Sequence, residues 1–349
     1  MTQVTQTMKA VQLMGHGGLE KLVYREDVAK PNVQADQVLV KVAAAGVNNT
    51  DINTRLAWYS KGESDHEDAS WSGEPLSFPF IQGADVCGYI EAVGENVSAD
   101  RIGERVMIEP CMTQVHGKKM ASFWYLGSEC DGGFAQYTVV DSVHAFKVNS
   151  DMSDVELASF PCSYSTAENL LSRTQVAQAD TVLITGASGG VGSAAIQLAK
   201  ARGAKVIVVS SPSKQQTLLS LGADVVLNRN MDLLAELGEN SVDVVIDLVA
   251  GEQWPTLLKL LKPKGRYGVS GAIGGALVAL DVRTLYLKDL SFFGCTHLDE
   301  GVFARLVSLI EARAIRPIVA KVFDLQDIHQ AQITFLEKLH TGKIVLRVP

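Results

Sequence analysis

The pattern of apolar and polar positions changes character near residue 150. From about Met8 to Val148, short runs rich in β-branched and aromatic residues carry stretches of strict alternation and are separated by glycine-containing turns: "QVLVKVAAAGV" (37–47), "CGYIEAVG" (87–94), "ERVMIEP" (104–110) and "FAQYTVV" (134–140). Period-two alternation of this kind predicts strands with one buried face, and so a β-rich barrel or sandwich. One stretch breaks the rhythm: "SKGESDHEDASWSGEP" (60–75) is polar, acidic and too long for a tight turn. It follows Tyr59 and carries Trp71, so it reads either as a flap over a pocket or as a solvated acidic loop in which His66 is exposed.

After Ser150 strands and helices alternate. "TVLITGA" (181–187), "KVIVVS" (205–210), "DVVLN" (224–228), "VDVVIDLV" (242–249), "GRYGVSG" (265–271) and "LSFFGCT" (290–296) are separated by helical stretches such as "SAAIQLAKARG" (193–203). Near-continuous apolar strands are buried on both faces, as in a parallel sheet with helices on either side. The tail at 315–349 returns to strand, amphipathic helix and strand, and is expected to pack back on the first half. The expected fold is α/β: a doubly wound parallel-sheet domain at 150–315, and a β-rich domain built from 1–149 and 316–349.

Bulk properties narrow the function classes. At 349 residues the chain is long for one core, and no apolar run approaches the ~20 residues that cross a bilayer. A net charge of −8 repels a phosphate backbone, which argues against nucleic acid. The five cysteines, Cys87, Cys111, Cys130, Cys162 and Cys295, are odd in number, scattered and without a CxxC pair, and the N-terminus lacks an apolar signal core. A reducing, cytoplasmic setting is expected.

"LITGASGGVGSAAIQLAKARGA" (183–204) follows a buried strand and opens a helix, the context a phosphate-binding glycine loop requires. Ala187-x-Gly189-x-x-Gly192 is a GxGxxG variant in which Gly189 permits backbone approach to a diphosphate and Gly192 permits close helix–strand packing. Gly186, Ser188, Gly190 and Val191 complete the candidate loop, whose free N–H groups at the helix start suit an anion. A plain strand-to-helix turn is the alternative. The second strand ends in Ser210, Ser211, Pro212, Ser213 and Lys214, where an NAD site ordinarily has a carboxylate for the ribose hydroxyl. Hydroxyls and a lysine accept a 2′-phosphate that a carboxylate repels, so NADPH is expected; otherwise Lys214 only solvates a helix start.

Taken in order, "GVNNTD" (46–51), "IQGADVCG" (81–88), "DGGFAQY" (131–137), "CSYST" (162–166), "TGASGGVG" (185–192) and "GKIVL" (342–346) make the chain resemble the medium-chain dehydrogenase/reductase superfamily over nearly its whole length. The resemblance implies a GroES-like catalytic domain, a Rossmann cofactor domain, and a homodimer formed through the latter, with 276–287 and the strand at 290–296 as candidate contacts. Zinc enzymes of that superfamily carry a cysteine, a His-Glu pair and a second cysteine where this chain has Asn48, Ala84-Asp85 and Cys162. Catalytic zinc takes three protein ligands, so Cys162 stands without partners and reads as a pocket-wall residue; an Asp85–Cys162 metal site lacks its third ligand. Cys111 and Cys130 likewise stand alone where a structural zinc lobe has four cysteines.

The chain instead resembles the zinc-free quinone oxidoreductase, or zeta-crystallin-like, branch, in which N-x-x-D is followed by a tyrosine near the substrate. Asn48, Asp51 and Tyr59 reproduce that order, and Thr50 occupies the position of a hydroxyl relay. Asn48 and Asp51 are open to a second reading as a turn held by side-chain bonds, and Tyr59 as a half-buried aromatic. The resemblance also implies Lys343 near the cofactor pyrophosphate, and Gly271 and Phe293 on nicotinamide-facing segments. The implied activity is zinc-independent, NADPH-dependent hydride transfer to a small enone or quinone. A metal-free carbonyl reductase or alcohol dehydrogenase, and a NADPH-binding protein with little turnover, are the alternatives.

Overall fold

The computed structural model describes residues 6–60 and 75–349. Trp71 and His66 of the acidic segment, and the flap reading with them, lie outside the described residues. The chain forms two compact units, one of residues 1–162, 316–339 and 343–349 and the other of 163–315 and 340–342.

In the first unit the strand Gln37–Val47 is central. Its Val38, Val40, Val42, Ala45 and Val47 enter one core with Val86, Ile90, Val106, Phe134, Ile344 and Leu346. One edge pairs antiparallel with Asp85–Val93. The other is divided: Gln37 to Lys41 pair with Tyr137–Asp141, and Ala44 to Val47 with the terminal strand Lys343–Arg347. The tail therefore returns to the first half, and the register sets Ile344 opposite Val47 and Gly46 opposite Asp85. Three distant segments converge where the central strand ends. Gly46 makes that convergence sterically possible, since a Cβ there would lie 2.5 Å from Asp85 Oδ2 and 2.8 Å from the Ala158 carbonyl oxygen.

Two details depart from the sequence expectation. Phe134 and Ala135 are buried but stay out of the sheet strand, which begins at Tyr137; Ala135 instead bridges to Ala10. A hairpin of Cys111–Val115 and Lys118–Tyr125 went unread because "QVHGKKMAS" is largely polar. Its turn residues His116 and Gly117 both have positive φ, at 52° and 75°, the backbone that matches the twist of a two-residue hairpin.

The second unit is a six-stranded, wholly parallel sheet. Its order is Val225–Asn228, Lys205–Ser210, Thr181–Ile184, Val242–Asp247, Leu261–Val269 and Ser291–Gly294. Numbered along the chain this is 3-2-1-4-5-6, the doubly wound order whose switch point falls between the first and fourth strands. The fifth strand starts four residues before the expected 265, because Leu261 already pairs with Val242 before the register shifts. Leu183, Ile207, Val245, Leu257 and Trp254 are among the residues that fill the core of this unit. Among the described residues no helix is long and apolar enough to cross a membrane.

Candidate active site

The expected catalytic residues lie at the end of the central strand. Asn48 leaves that strand in extended conformation and caps the helix Asn49–Arg55. Its backbone N–H donates to Asp51 Oδ2 at 2.7 Å, so Asp51, two residues into the helix, closes the turn from below. The Asn48 amide is fully engaged: Nδ2 donates to Asp85 Oδ2 at 2.8 Å and to the Gly46 carbonyl at 3.4 Å, and Oδ1 accepts from Lys343 Nζ at 2.5 Å. Lys343 Nζ also lies 2.7 Å from Asp85 Oδ2 and donates to the Val47 carbonyl at 3.2 Å. The other Asp85 oxygen accepts from the Cys162 backbone N–H at 2.5 Å. Asp85 is thus held by an ammonium, an amide and a backbone N–H, and only 3% of the Lys343 side chain and none of the Asp85 side chain meets solvent.

Lys343, expected near a pyrophosphate, has its ammonium in the Asp85–Asn48 corner, where it is buried and ion-paired. Asn48 and Asp51 form the side-chain-held turn that was the second reading of their spacing, and the amide of Asn48 has no donor left for a substrate. Burial pushes the Asp51 carboxyl up to about 7; the Asn48 N–H and Lys343 oppose the rise, and Asp85 adds to it.

Thr50 and Tyr59 are differently placed. Both are half-buried, and the Tyr59 hydroxyl donates to Thr50 Oγ1 at 3.2 Å. Burial raises the Tyr59 pKa, which keeps the phenol protonated and a donor. Cys162 faces a residue that sequence reasoning missed: the Tyr125 hydroxyl lies 3.0 Å from its sulfur. Burial, and then the Asp85 charge, push the Cys162 thiol up to about 12, so it is a neutral wall residue rather than a nucleophile. Gln82, also unforeseen, donates from Nε2 to the Asp51 carbonyl at 2.8 Å and anchors the helix start.

In the second unit the glycine loop meets the mechanical demands of a phosphate cradle. Gly186 turns with φ at +59°, and Gly189 caps the helix Gly190–Ala201 in extended conformation. A Cβ on Gly192 would lie 2.5 Å from both Ala187 Cα and the Gly186 oxygen, so only glycine lets the helix sit this close to the strand end. Ser188 and Val191 flank these positions, and Lys214 Nζ donates to Ser188 Oγ at 3.1 Å and to the His340 carbonyl at 2.8 Å. Burial, together with the positive charge of Arg229, lowers the Lys214 pKa. Ser211 and Ser213 hydroxyls are 3.3 Å apart beside it, whereas Ser210 is buried at the strand end. Arg229 was not read from sequence; parallel pairing of Ser210 with Asn228 carries it here, where its N–H donates to the Ser210 carbonyl.

Gly271 joins this region through the segment after the fourth strand: a Cβ on it would touch the Leu248 carbonyl at 2.7 Å, and one on Gly186 would touch Val249 at 3.1 Å. Phe293 stands apart, half-buried on the edge strand and paired with Gly268. Among the described residues no group of three or more His, Cys, Asp or Glu side chains is arranged to hold a metal.

One unit holds a buried polar corner and the other a glycine loop with the backbone of a phosphate cradle, the two parts that oxidoreductases working with a nicotinamide dinucleotide combine. Residues 34–150 match the family described as alcohol dehydrogenase GroES-like domain, and 190–312 that described as zinc-binding dehydrogenase. The chain is 30% identical to the quinone oxidoreductase of Homo sapiens over 97% of each protein. It is 29% identical to the NAD-dependent alcohol dehydrogenase of Saccharolobus solfataricus, covering 93% of this chain and 95% of that one. A solved protein of Sinorhizobium meliloti 1021, provisionally called an alcohol dehydrogenase, superposes with a TM-score of 0.92 at 45% identity over 100% of this chain and 98% of that one. The chain belongs to the medium-chain dehydrogenase/reductase superfamily and has quinone oxidoreductase-like relatives. The fold is that superfamily's pairing of a GroES-like and a Rossmann-like domain.

Proposed function

We propose that the protein is a zinc-independent oxidoreductase that uses NADPH to reduce the conjugated double bond of an α,β-unsaturated carbonyl, or a quinone. The observation that carries the reading is the half-buried Tyr59–Thr50 hydroxyl pair beside a corner whose acid is already neutralised by Lys343. Tyr59 donates to Thr50 Oγ1, which leaves the Thr50 proton available for a substrate oxygen, with the phenol behind it as a proton reserve. When bound, the nicotinamide supplies the hydride. Addition at the β-carbon moves an electron pair onto the oxygen as an enolate, and in a quinone as a phenolate. That charge is delocalised, so hydrogen bonds from Thr50 and Tyr59 can stabilise it without a Lewis acid. Return of one proton completes the reduction.

The residues that the zinc enzymes' metal would need do not fit it. Ala84 offers no ligand atom, Asn48 Oδ1 is taken by Lys343, and both Asp85 oxygens are occupied by donors. Preference for NADPH is supported by Lys214, Ser211 and Ser213 after the second strand, and by Arg229, which follows the third strand and bonds through its N–H to the Ser210 carbonyl. Reduction of an isolated carbonyl is the second reading, favoured by the availability of the Thr50 proton. The five free thiols support a reducing, cytoplasmic setting. A homodimer is supported by the second unit's edge strand Ser291–Gly294 and by exposed Leu277, Tyr286 and Leu287.

The test incubates chelator-treated protein with a 2-alkenal, or a quinone, and either NADPH or NADH, and identifies products by NMR. A saturated aldehyde formed faster with NADPH is the expected result. An allylic alcohol would move the reading to carbonyl reduction, and loss of all turnover on chelation would sink metal independence. Tight cofactor binding without turnover of any acceptor would mark a binding protein.

A further inference from the structure

The two strands that flank the switch point of the second unit are tied together by one buried carboxylate. Asp247, the last residue of Val242–Asp247, is wholly buried, and four donors converge on it. Oδ1 accepts from the Thr185 hydroxyl at 2.5 Å and from the backbone N–H groups of Val249 at 2.9 Å and Ala250 at 3.0 Å, and Oδ2 accepts from the Tyr267 hydroxyl at 2.6 Å. Thr185 Oγ1 in turn accepts from the Leu248 N–H at 2.9 Å. Thr185 precedes Gly186, where the glycine loop turns, so the carboxylate joins the start of that loop to the segment leaving the fourth strand. Tyr267 comes from the fifth strand and is itself fixed, edge-on to Trp254 and packed on Phe292. All four donors are neutral, and leaving a buried carboxylate oxygen without its donor carries a desolvation penalty.

The segment so held is strained. Ala250 has φ at 57° and ψ at −145°, a conformation that glycine adopts and other residues keep only where their surroundings impose it. Here the constraints are the Ala250 N–H on Asp247 and the Val249 carbonyl, which accepts from the Gly274 N–H at 2.8 Å. The strained turn bears on the glycine loop, since a Cβ on Gly186 would lie 3.1 Å from Val249 Cγ2 and 3.4 Å from Leu248 Cβ. Leu248 and Val249 thus wall the crevice at the switch point, where open α/β sheets bind their ligands. We propose that Asp247 and Tyr267 are positioning residues for the dinucleotide: the carboxylate, steadied by the phenol, holds the strained 248–251 turn against the glycine loop, so that the crevice stands formed before the cofactor enters. The inference rests on the nicotinamide-cofactor part of the reading above, and is independent of the substrate, of metal and of the choice between NADPH and NADH. Both nucleotides use the same loop, so loss of the phenol should weaken both alike.

The test uses the full-length protein and reads NADPH and NADH binding by fluorescence titration, with amide hydrogen exchange at 248–251 followed by mass spectrometry before cofactor is added. Tyr267→Phe leaves a buried carboxylate oxygen without its donor, and should raise both dissociation constants about 10-fold and speed exchange in the turn. Ala250→Gly removes the strain and lets the turn stand without the phenol, so Tyr267→Phe combined with Ala250→Gly should bind both nucleotides within about threefold of the native protein. A tyrosine that served only the core would lower the melting temperature and show no such recovery. If Tyr267→Phe does not fold, the pair Thr185→Val and Thr185→Ser reads the same carboxylate from its other oxygen: valine should weaken both nucleotides about 10-fold, and serine should stay within about threefold. Native affinity and native exchange in Tyr267→Phe would overturn the proposal, as would weakened binding that Ala250→Gly does not restore, or Thr185→Val binding as the native protein does. Native protein that binds neither nucleotide would overturn the cofactor reading and this inference with it, whereas failure of the proposed reaction on product identity or metal dependence would leave it standing.

Discussion

Asp51 contributes to stability with a pH dependence opposite in direction to that of most carboxylates, and the replacement Asp51→Asn should remove that contribution. The carboxyl is 2% exposed, and burial raises it from an ordinary value near 3.8 to about 7. Because the folded state holds the Asp51 proton more tightly than the unfolded chain, folding takes up that proton between those limits, and the Asp51 contribution to stability falls as pH rises from about 4 to 7. Below that window Asp51 is protonated in both states, and above it ionised in both, so its contribution is flat on either side. The interval from 3.8 to about 7, at about 1.4 kcal/mol per pH unit, amounts to ~4 kcal/mol. Asparagine retains an oxygen that can accept the Asn48 N–H and carries no charge, so the variant keeps the helix cap and loses the titration. Asp131 is also raised by burial, so the informative quantity is the difference between native and variant proteins measured side by side. Urea unfolding at half-unit steps from pH 4.5 to 8.5 should show Asp51→Asn gaining on the native protein by a few kcal/mol as pH rises, then levelling off. A constant difference across that range would refute the argument.

Three further outcomes test the substrate and cofactor readings separately. Tyr59→Phe removes the phenol that donates to Thr50 Oγ1, and kcat should fall about 100-fold with the cofactor Kd unchanged; stopped-flow single turnovers check both. Lys214→Ala removes the ammonium beside Ser188 and should weaken NADPH roughly 10- to 100-fold while leaving NADH within about threefold, as read by fluorescence titration. Gly192→Ala puts a methyl 2.5 Å from the backbone at Ala187 and Gly186, and should destabilise the fold by about 1–3 kcal/mol and weaken both cofactors together, as seen by calorimetry with each nucleotide.

What could be read from the chain divides according to how local its physical cause is. The glycine loop was legible because its requirements are met within a dozen residues: a strand end, a turn at Gly186 and a helix that only Gly192 allows so close. The Asn48–Asp51 turn was legible for the same reason, although spacing alone could not decide between a substrate site and a helix cap. Arg229 was not, because it reaches the second strand only through parallel pairing with Ser210. Lys343 and Asn48 are 295 positions apart, and nothing in either segment specifies that the terminal strand pairs antiparallel with Ala44 to Val47. Yet Asp85 was itself a signal. An acid in the apolar run "GADVCGYI" needs positive charge and donors if buried, and Lys343, the Asn48 amide and the Cys162 N–H supply them. The register of the tail brings the lysine there: Ile344 lies opposite Val47, and the ammonium of the residue before it reaches Asp85 Oδ2 at 2.7 Å.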